Sequence, residues 1–209
     1  MEKGFFITLE GCEGSGKSTQ LKNLQNYLEK NGKKFIFTRE PGGTPIAEEI
    51  RNIILDGKNT EMENETEALL YASARVQHIK EKILPAKSQG IIVICDRYID
   101  SSFAYQAYAR NLGMDFVKGV NKFAVENCMP DLTLFFDISP EEAFKRKGGA
   151  DKDDRLEQSG LEFHQKVYLG YKKLAEEYTE RIAVIDARKT ADEVFESVIE
   201  ILKKREIIS

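Results

Sequence analysis

The chain predicts an α/β fold: a parallel sheet covered by helices on both faces. Two observations carry this reading. Short apolar runs alternate with helical patterns from one end to the other. The runs are rich in Ile, Val and Phe, as strands buried on both faces must be. A third observation sets the scale, because 209 residues suit one such domain and are too few for two comfortable ones. With no internal repeat and no linker, residues 1–209 read as a single domain.

The elements follow in order. FFITLE is the first strand, and a glycine loop leads from it into a helix from about Lys17 to Asn31. KFIFT is the second strand, after which the REPGGTP turn opens a helix through IAEEIRNIIL. A long helical stretch runs from about Asn64 to Lys87 and stops at Gly90. IIVICD is the third strand, with two helical segments between Ser101 and Asn127 behind it. LTLFFD is the fourth strand, and Pro140 fits the first turn of the next helix. KRKGGADKDDR is highly charged and lacks apolar periodicity, which predicts a mobile loop. A helix from about Leu161 to Tyr178, a fifth strand RIAVID and a final helix complete the chain. Ligands of such sheets bind beyond the C-terminal ends of the strands.

Composition narrows the function classes. Apolar residues make up 41% and charged residues 32%, an ordinary balance for a soluble globular protein. A net charge of −4 gives no global attraction to nucleic acid or to anionic membranes, so any anion site must be a local cluster. The densest apolar run, GIIVIC, is far too short to span a bilayer, and FFITLEG runs into the glycine loop without a signal peptide. Cys12, Cys95 and Cys128 form no CxxC pair and read as reduced thiols of a cytoplasmic protein. His78 and His164 lack metal-ligand spacing, so histidine-based chemistry is not expected.

GCEGSGKS, Gly11 to Ser18, matches G-x-x-x-x-G-K-[ST] in full, and it sits between a predicted strand and a predicted helix. Its glycines let backbone N–H groups of Gly11, Cys12, Glu13, Gly14, Ser15 and Gly16 close around phosphate oxygens, with Thr19 following on the helix. Lys17 reaches β and γ phosphates and Ser18 can hold Mg²⁺. A guanine-reading N-K-x-D is lacking, since the nearest stretch is NKFA, and a motor needs more chain. A small kinase with a second, acceptor site remains.

Arginines suit an acceptor phosphate because their planar fork bonds two oxygens at once. Arg39 ends the second strand and Arg97 follows the third, both on the rim of the glycine loop, while Arg75 lies on the long helix. Asp96 ends IIVICD where a metal-supporting aspartate belongs, with Asp137 of LTLFFD as a competitor.

Taken together, GCEGSGKS, TREPGG, LLYASAR, DRY with SSFAYQ, and a basic loop ending in DRLE resemble the thymidylate kinase family, in its bacterial type, over nearly the whole chain. The resemblance implies the P-loop nucleoside monophosphate kinase fold, a five-stranded parallel sheet with a mobile lid. It implies transfer of the γ-phosphoryl of ATP to dTMP, giving ADP and dTDP on the way to dTTP, with Mg²⁺ at Ser18 and Asp96. It implies a homodimer. By the same resemblance Arg39 and Arg97 clamp the acceptor phosphate, Arg75 reads the thymine edge and Tyr71 lies near the base. Ser101, Ser102 and Tyr105 line base and sugar, with Gln106 as a weaker candidate, and Glu13 lies near the sugar 3′-hydroxyl and the metal. One departure matters. Some relatives carry an arginine after that acid, where this chain has Gly14, and relatives with glycine there supply the catalytic charge from the lid instead. The lid, about residues 145–157, offers Lys145, Arg146, Lys147 and Arg155, of which Arg146 and Arg155 are the catalytic candidates, with Gly148 and Gly149 as hinge. IDARKT, Ile185 to Thr190, is where the adenine packs. Three other readings stay open: a kinase for a different nucleoside monophosphate or for a deoxynucleoside, the latter with Glu13 or Glu40 as base; a nucleotide-dependent binding or switch protein; and a catalytically dead P-loop domain, to which the intact GKS and DR leave little room.

Overall fold

In the computed structural model, which describes residues 4–147, 155, 156 and 159–208, five strands form one all-parallel sheet in the order β2-β3-β1-β4-β5. They are β1 (Phe6–Glu10), β2 (Phe35–Arg39), β3 (Ile92–Asp96), β4 (Leu132–Asp137) and β5 (Ile182–Asp186). Register aligns their C-terminal ends, since Asp96 pairs with both Leu9 and Arg39, and Asp137 pairs with Asp186. Every polar residue that ends a strand therefore meets the same rim.

Alternation along the strands builds two cores. Phe6, Val93, Cys95 and Phe135 face one layer, where they meet Ile79, Phe103, Tyr171 and Leu174. Ile7, Leu9, Ile94, Leu134 and Phe136 face the other, against Leu24 and Leu28 of α1 (Lys17–Lys30) and Val194, Val198 and Leu202 of α10 (Ala191–Lys204). Each such fully buried aliphatic side chain stabilises the fold by roughly 1.5–3 kcal/mol before entropy is counted. A Thr190–Glu193 capping box starts α10.

The long helical stretch is one continuous run. α2 (Pro45–Leu55) packs on α3 (Asn64–His78), and α3 widens into a π-helical segment, Ile79–Ile83, before α4 (Leu84–Ser88). Pro85 supplies the reason, as it has no N–H for the carbonyl one turn back and its ring crowds that turn. A second π-helical segment, Phe103–Ala109, extends α5 (Ile99–Ser102), and α6 (Met114–Val120) and α7 (Lys122–Asn127) follow it. α9 (Gly160–Glu177) lies across the second π segment.

One expectation needs correction. Lys145, Arg146 and Lys147 are not loop but the last turn of α8 (Pro140–Lys147), where the helix begun at Pro140 carries the charges onward. Gly148, Gly149 and the rest of the expected lid from 148 to 154, with 157 and 158, lie outside the described residues.

Gly11 leaves β1 with φ 142°, and a Cβ there would stand 2.8 Å from the Phe136 carbonyl oxygen. Gly11→Ala is expected to destabilise the protein by roughly 1–3 kcal/mol in urea unfolding. A loss below about 0.5 kcal/mol, the ordinary range of surface changes, would show that the junction yields.

Candidate active site

Two cavities open on the C-terminal rim. The first, about 640 Å³, is walled by Glu13 to Thr19 of the glycine loop, Asp96 and Arg146. Gly16, in the left-handed region at φ 93°, turns the loop into α1 so that the helix N-terminus faces this cradle. Lys17 is buried, and its Nζ donates to the carbonyls of Gly11 and Cys12, both at 3.0 Å, and more weakly to Ser15 Oγ. Burial, then the nearby Arg97, lowers its pKa. Arg146 reaches the cradle from α8 and donates to the carbonyls of Ala187 (2.6 Å) and Arg188 (3.0 Å), which tethers the IDARKT segment to it.

The two strand-end aspartates part company here. Asp137 accepts from Tyr168 and Lys172, whereas Asp96 lines the cradle with Ser18 and keeps a buried Oδ1 without a hydrogen-bond partner. That orphaned oxygen beside a hydroxyl fits a hard divalent cation. Among the described residues no three His, Cys, Asp or Glu side chains gather as a metal cage, so an ion there would rest on these two groups and on phosphate oxygens.

The second cavity is a cleft of about 580 Å³ lined by Glu13, Glu40, Pro41, Arg51, Leu55, Tyr71, Arg75, Arg97, Tyr98, Ser101, Tyr105, Gln106, Leu156 and His164. Glu13 thus walls both cavities. Arg97 spans the join, with Nη2 2.7 Å from Glu13 Oε1 and Nη1 donating to Ser101 Oγ (3.3 Å) and Tyr171 OH (3.2 Å). Its guanidinium lies 5.5 Å from the centre of the Tyr105 ring. Burial works against its charge, but Tyr105, Tyr171 and Glu13 hold its pKa well above the ordinary value.

Arg75, 1% exposed, is locked by four bonds, to Glu40 (2.7 Å), Ser102 Oγ (2.9 Å), Asn121 Oδ1 (2.6 Å) and the Tyr98 carbonyl (3.2 Å). Glu40 also meets His78 at 3.0 Å, and His78 meets Thr38 at 2.7 Å. A buried guanidinium this fully satisfied is rigid, which suits a group that must meet a ligand in one geometry.

The sequence-predicted residues divide. Glu13, Tyr71, Arg75, Arg97, Ser101, Tyr105 and Gln106 come together at the cleft, and Ser102 stands behind it, accepting from Arg75. Arg39 does not line it: its guanidinium is 2.9 Å from Glu48 in a separate open depression. Arg155 lines neither cavity and is bonded to the Ile54 carbonyl and to Glu67. Missed from sequence were Arg51, His164 and the apolar walls Leu55 and Leu156. A signal for Arg51 existed, because it lies four residues after Ala47 and three before Ile54, both buried, and so on their face of α2.

Beneath Arg97 lies a buried carboxylate. Glu10 accepts from the Tyr98 N–H (2.7 Å), Ser101 Oγ (2.6 Å) and Tyr171 OH (2.8 Å). Burial, then Asp100, raises its pKa from 4.5 to about 7 against the pull of Arg97. Asp100 itself is neutralised by Arg181, at 2.6 and 2.7 Å.

Comparison with known proteins agrees with this geometry. The family model described as thymidylate kinase matches residues 9–198. The thymidylate kinase of Clostridium novyi (strain NT) is 51% identical over 205 residues, covering 97% of this chain and 100% of the relative. Those of Finegoldia magna and Halalkalibacterium halodurans are 49% and 48% identical, covering 97% and 98% of this chain and 100% and 99% of the relatives.

Glu10 makes stability depend on pH in a stated direction. An acid whose pKa is raised by folding binds more protons folded than unfolded, so stability falls as pH rises from about 4.5 to about 7. The contribution lost is on the order of 3 kcal/mol. Glu10→Gln is expected to flatten that part of the profile in urea unfolding from pH 4 to 8. The same slope in both proteins would place the titration elsewhere.

Proposed function

The chain belongs to the thymidylate kinase family, and from that premise we propose that it transfers the γ-phosphoryl group of ATP to dTMP, giving ADP and dTDP on the route to dTTP. The observation that carries this reading is the shared wall. Glu13 borders both cavities and Arg97 is bonded to it, so a donor phosphate in the cradle and an acceptor phosphate in the cleft would meet at one place.

The acceptor is already an anion, and positioning with charge neutralisation supplies most of the catalysis. The glycine loop and Lys17 hold the β and γ oxygens. Ser18 and Asp96 would hold Mg²⁺, which would supply positive charge to offset that of the phosphates. Arg97 and Arg51 hold the acceptor phosphate, and Arg39, tied to Glu48 outside the cleft, is left out of the clamp. Arg146, at the cradle, is the cation that opposes charge on the transferring group, while Arg155 serves the acceptor side. Tyr71 flanks the base, Tyr105 closes the space beside the sugar where a ribose hydroxyl would stand, and Arg75 and Gln106 read the base edge. The adenine packs at IDARKT, which Arg146 tethers.

Two further statements belong to the same reading. A homodimer is supported by Ile46 and Ile53 of α2 and Leu69 of α3, which are 54%, 50% and 51% exposed on two helices that pack together. A cytoplasmic site is supported by three buried free thiols, and among the described residues no helix is long and apolar enough to cross a membrane.

The test is ADP release from Mg²⁺-ATP with dTMP, dUMP, dCMP, dGMP, dAMP, UMP or thymidine supplied one at a time. Strong turnover with dTMP, weaker with dUMP and negligible with thymidine is expected. Preference for thymidine would make this a nucleoside kinase. Hydrolysis without any acceptor would return the chain to the switch class.

A further inference from the structure

A second buried carboxylate, Glu67 of α3, lies behind the base end of the cleft. It is fully buried and gathers three donors from two stretches of the chain. Gln106 Nε2, on the second π segment, donates to its Oε1 at 2.8 Å. Arg110, at the end of that segment, reaches both oxygens at 3.4 and 3.2 Å. Arg155, at the end of the charged segment in sequence, bonds Oε2, and its own Nε and backbone N–H hold the carbonyls of Ile54 and Leu55. Leu156 beside it packs on Ile54 and Tyr71.

The chemistry of these groups fixes a direction. A carboxylate flanked by two guanidiniums accepts and does not donate, so the Gln106 amide must turn its NH₂ to Glu67. Its carbonyl is then the group left for the cleft that Gln106 lines. A carbonyl there suits a ring N–H, which thymine and uracil carry at N3, and opposes the bare N3 of cytosine. We propose that Glu67 is a positioning residue for acceptor selection, setting the polarity that Gln106 presents to the base and tying it to the docking of Arg155. The inference rests on the acceptor reading of the cleft. Turning the amide over would leave two carbonyl-type oxygens face to face in a buried site, which is costly. Substrate choice is thereby held by a residue that touches no substrate.

The experiment compares kcat and KM for dTMP, dUMP and dCMP, and KM for ATP, in the wild-type protein and in Glu67→Gln. The amide that replaces the carboxylate can donate, which frees Gln106 to present its NH₂. Expected is a fall of about 10- to 100-fold in kcat/KM for dTMP, carried mostly by its KM, with KM for ATP nearly unchanged. The ratio of kcat/KM for dCMP over dTMP should rise about tenfold. dCMP remains the poorer acceptor, because Arg75 still opposes the cytosine amino group. Arg110→Met combined with Arg155→Met, which leaves Glu67 without a guanidinium, should move the ratio in the same direction, and Lys at both positions should restore part of it. Equal losses with all three acceptors, at an unchanged ratio, would make Glu67 a stability residue only and overturn the proposal. If Glu67→Gln does not fold, an unchanged ratio in the Arg110→Met, Arg155→Met double variant overturns it alone. A wild-type protein inactive on all three acceptors sinks the reading of the cleft, and this proposal with it. Wild-type activity on dTMP with unmoved ratios in the variants sinks the role of Glu67 alone.

Discussion

The ion pair between Arg97 and Glu13, at 2.7 Å, is the contact on which the site depends. Glu13 belongs to the loop after β1, and Arg97 follows β3, the neighbouring strand. Arg97 holds a left-handed backbone, φ 64°, a conformation that costs on the order of 1–3 kcal/mol for a residue with a side chain. The surroundings offset it. The Arg97 N–H donates to the Leu9 carbonyl at 3.0 Å, and its guanidinium finds Glu13, Ser101 and Tyr171. Strain held at the meeting point of two cavities is what a preorganised cation requires: its position is set before any ligand arrives.

That position is bought from the layer below. Glu10 holds Tyr98 and Ser101 through their N–H groups, and so fixes the turn that carries Arg97. Arg75 takes the Tyr98 carbonyl from the other side and passes the constraint through Glu40 to His78 and Thr38. Three buried carboxylates, Glu10, Glu40 and Glu67, thus support Arg97, Arg75 and Gln106, three of the groups that line the cleft. None of them is needed to bind apolar core. Each holds a neighbour in one geometry, and each would be a liability if that neighbour were removed, since an unpaired buried charge is strongly destabilising.

What was legible in the sequence was local. The strand FFITLE, the loop GCEGSGKS and the helix after it declare themselves within about twenty residues, because period, glycine spacing and the Lys-Ser pair all lie in one stretch. The parallel sheet and its ligand-bearing rim followed from βα alternation, whereas the strand order came only with the structure. Assignments that needed a distant partner were not legible. Asp96 and Asp137 both end apolar strands, and they differ only because Tyr168 and Lys172 of α9 fold back onto Asp137. Arg39 stands at a strand end beside the cradle in sequence, yet Glu48 on α2 draws it outward. Arg155 could be placed in a basic segment, but its docking on Glu67 joins residues far apart in the chain. Glu10 read as the polar end of a strand, and nothing nearby announced that Asp100 would lie beneath it.

The most direct test of the central claim is a pair of calorimetric titrations, dTMP and Mg²⁺-ATP, into the wild-type protein and Arg97→Ala. If Arg97 is the fixed cation of the acceptor side, dTMP affinity falls by roughly 100-fold or more, the scale of a buried charge-assisted contact, while ATP affinity stays within about threefold. Equal losses for both nucleotides would contradict the account and make Arg97 a prop of the glycine loop.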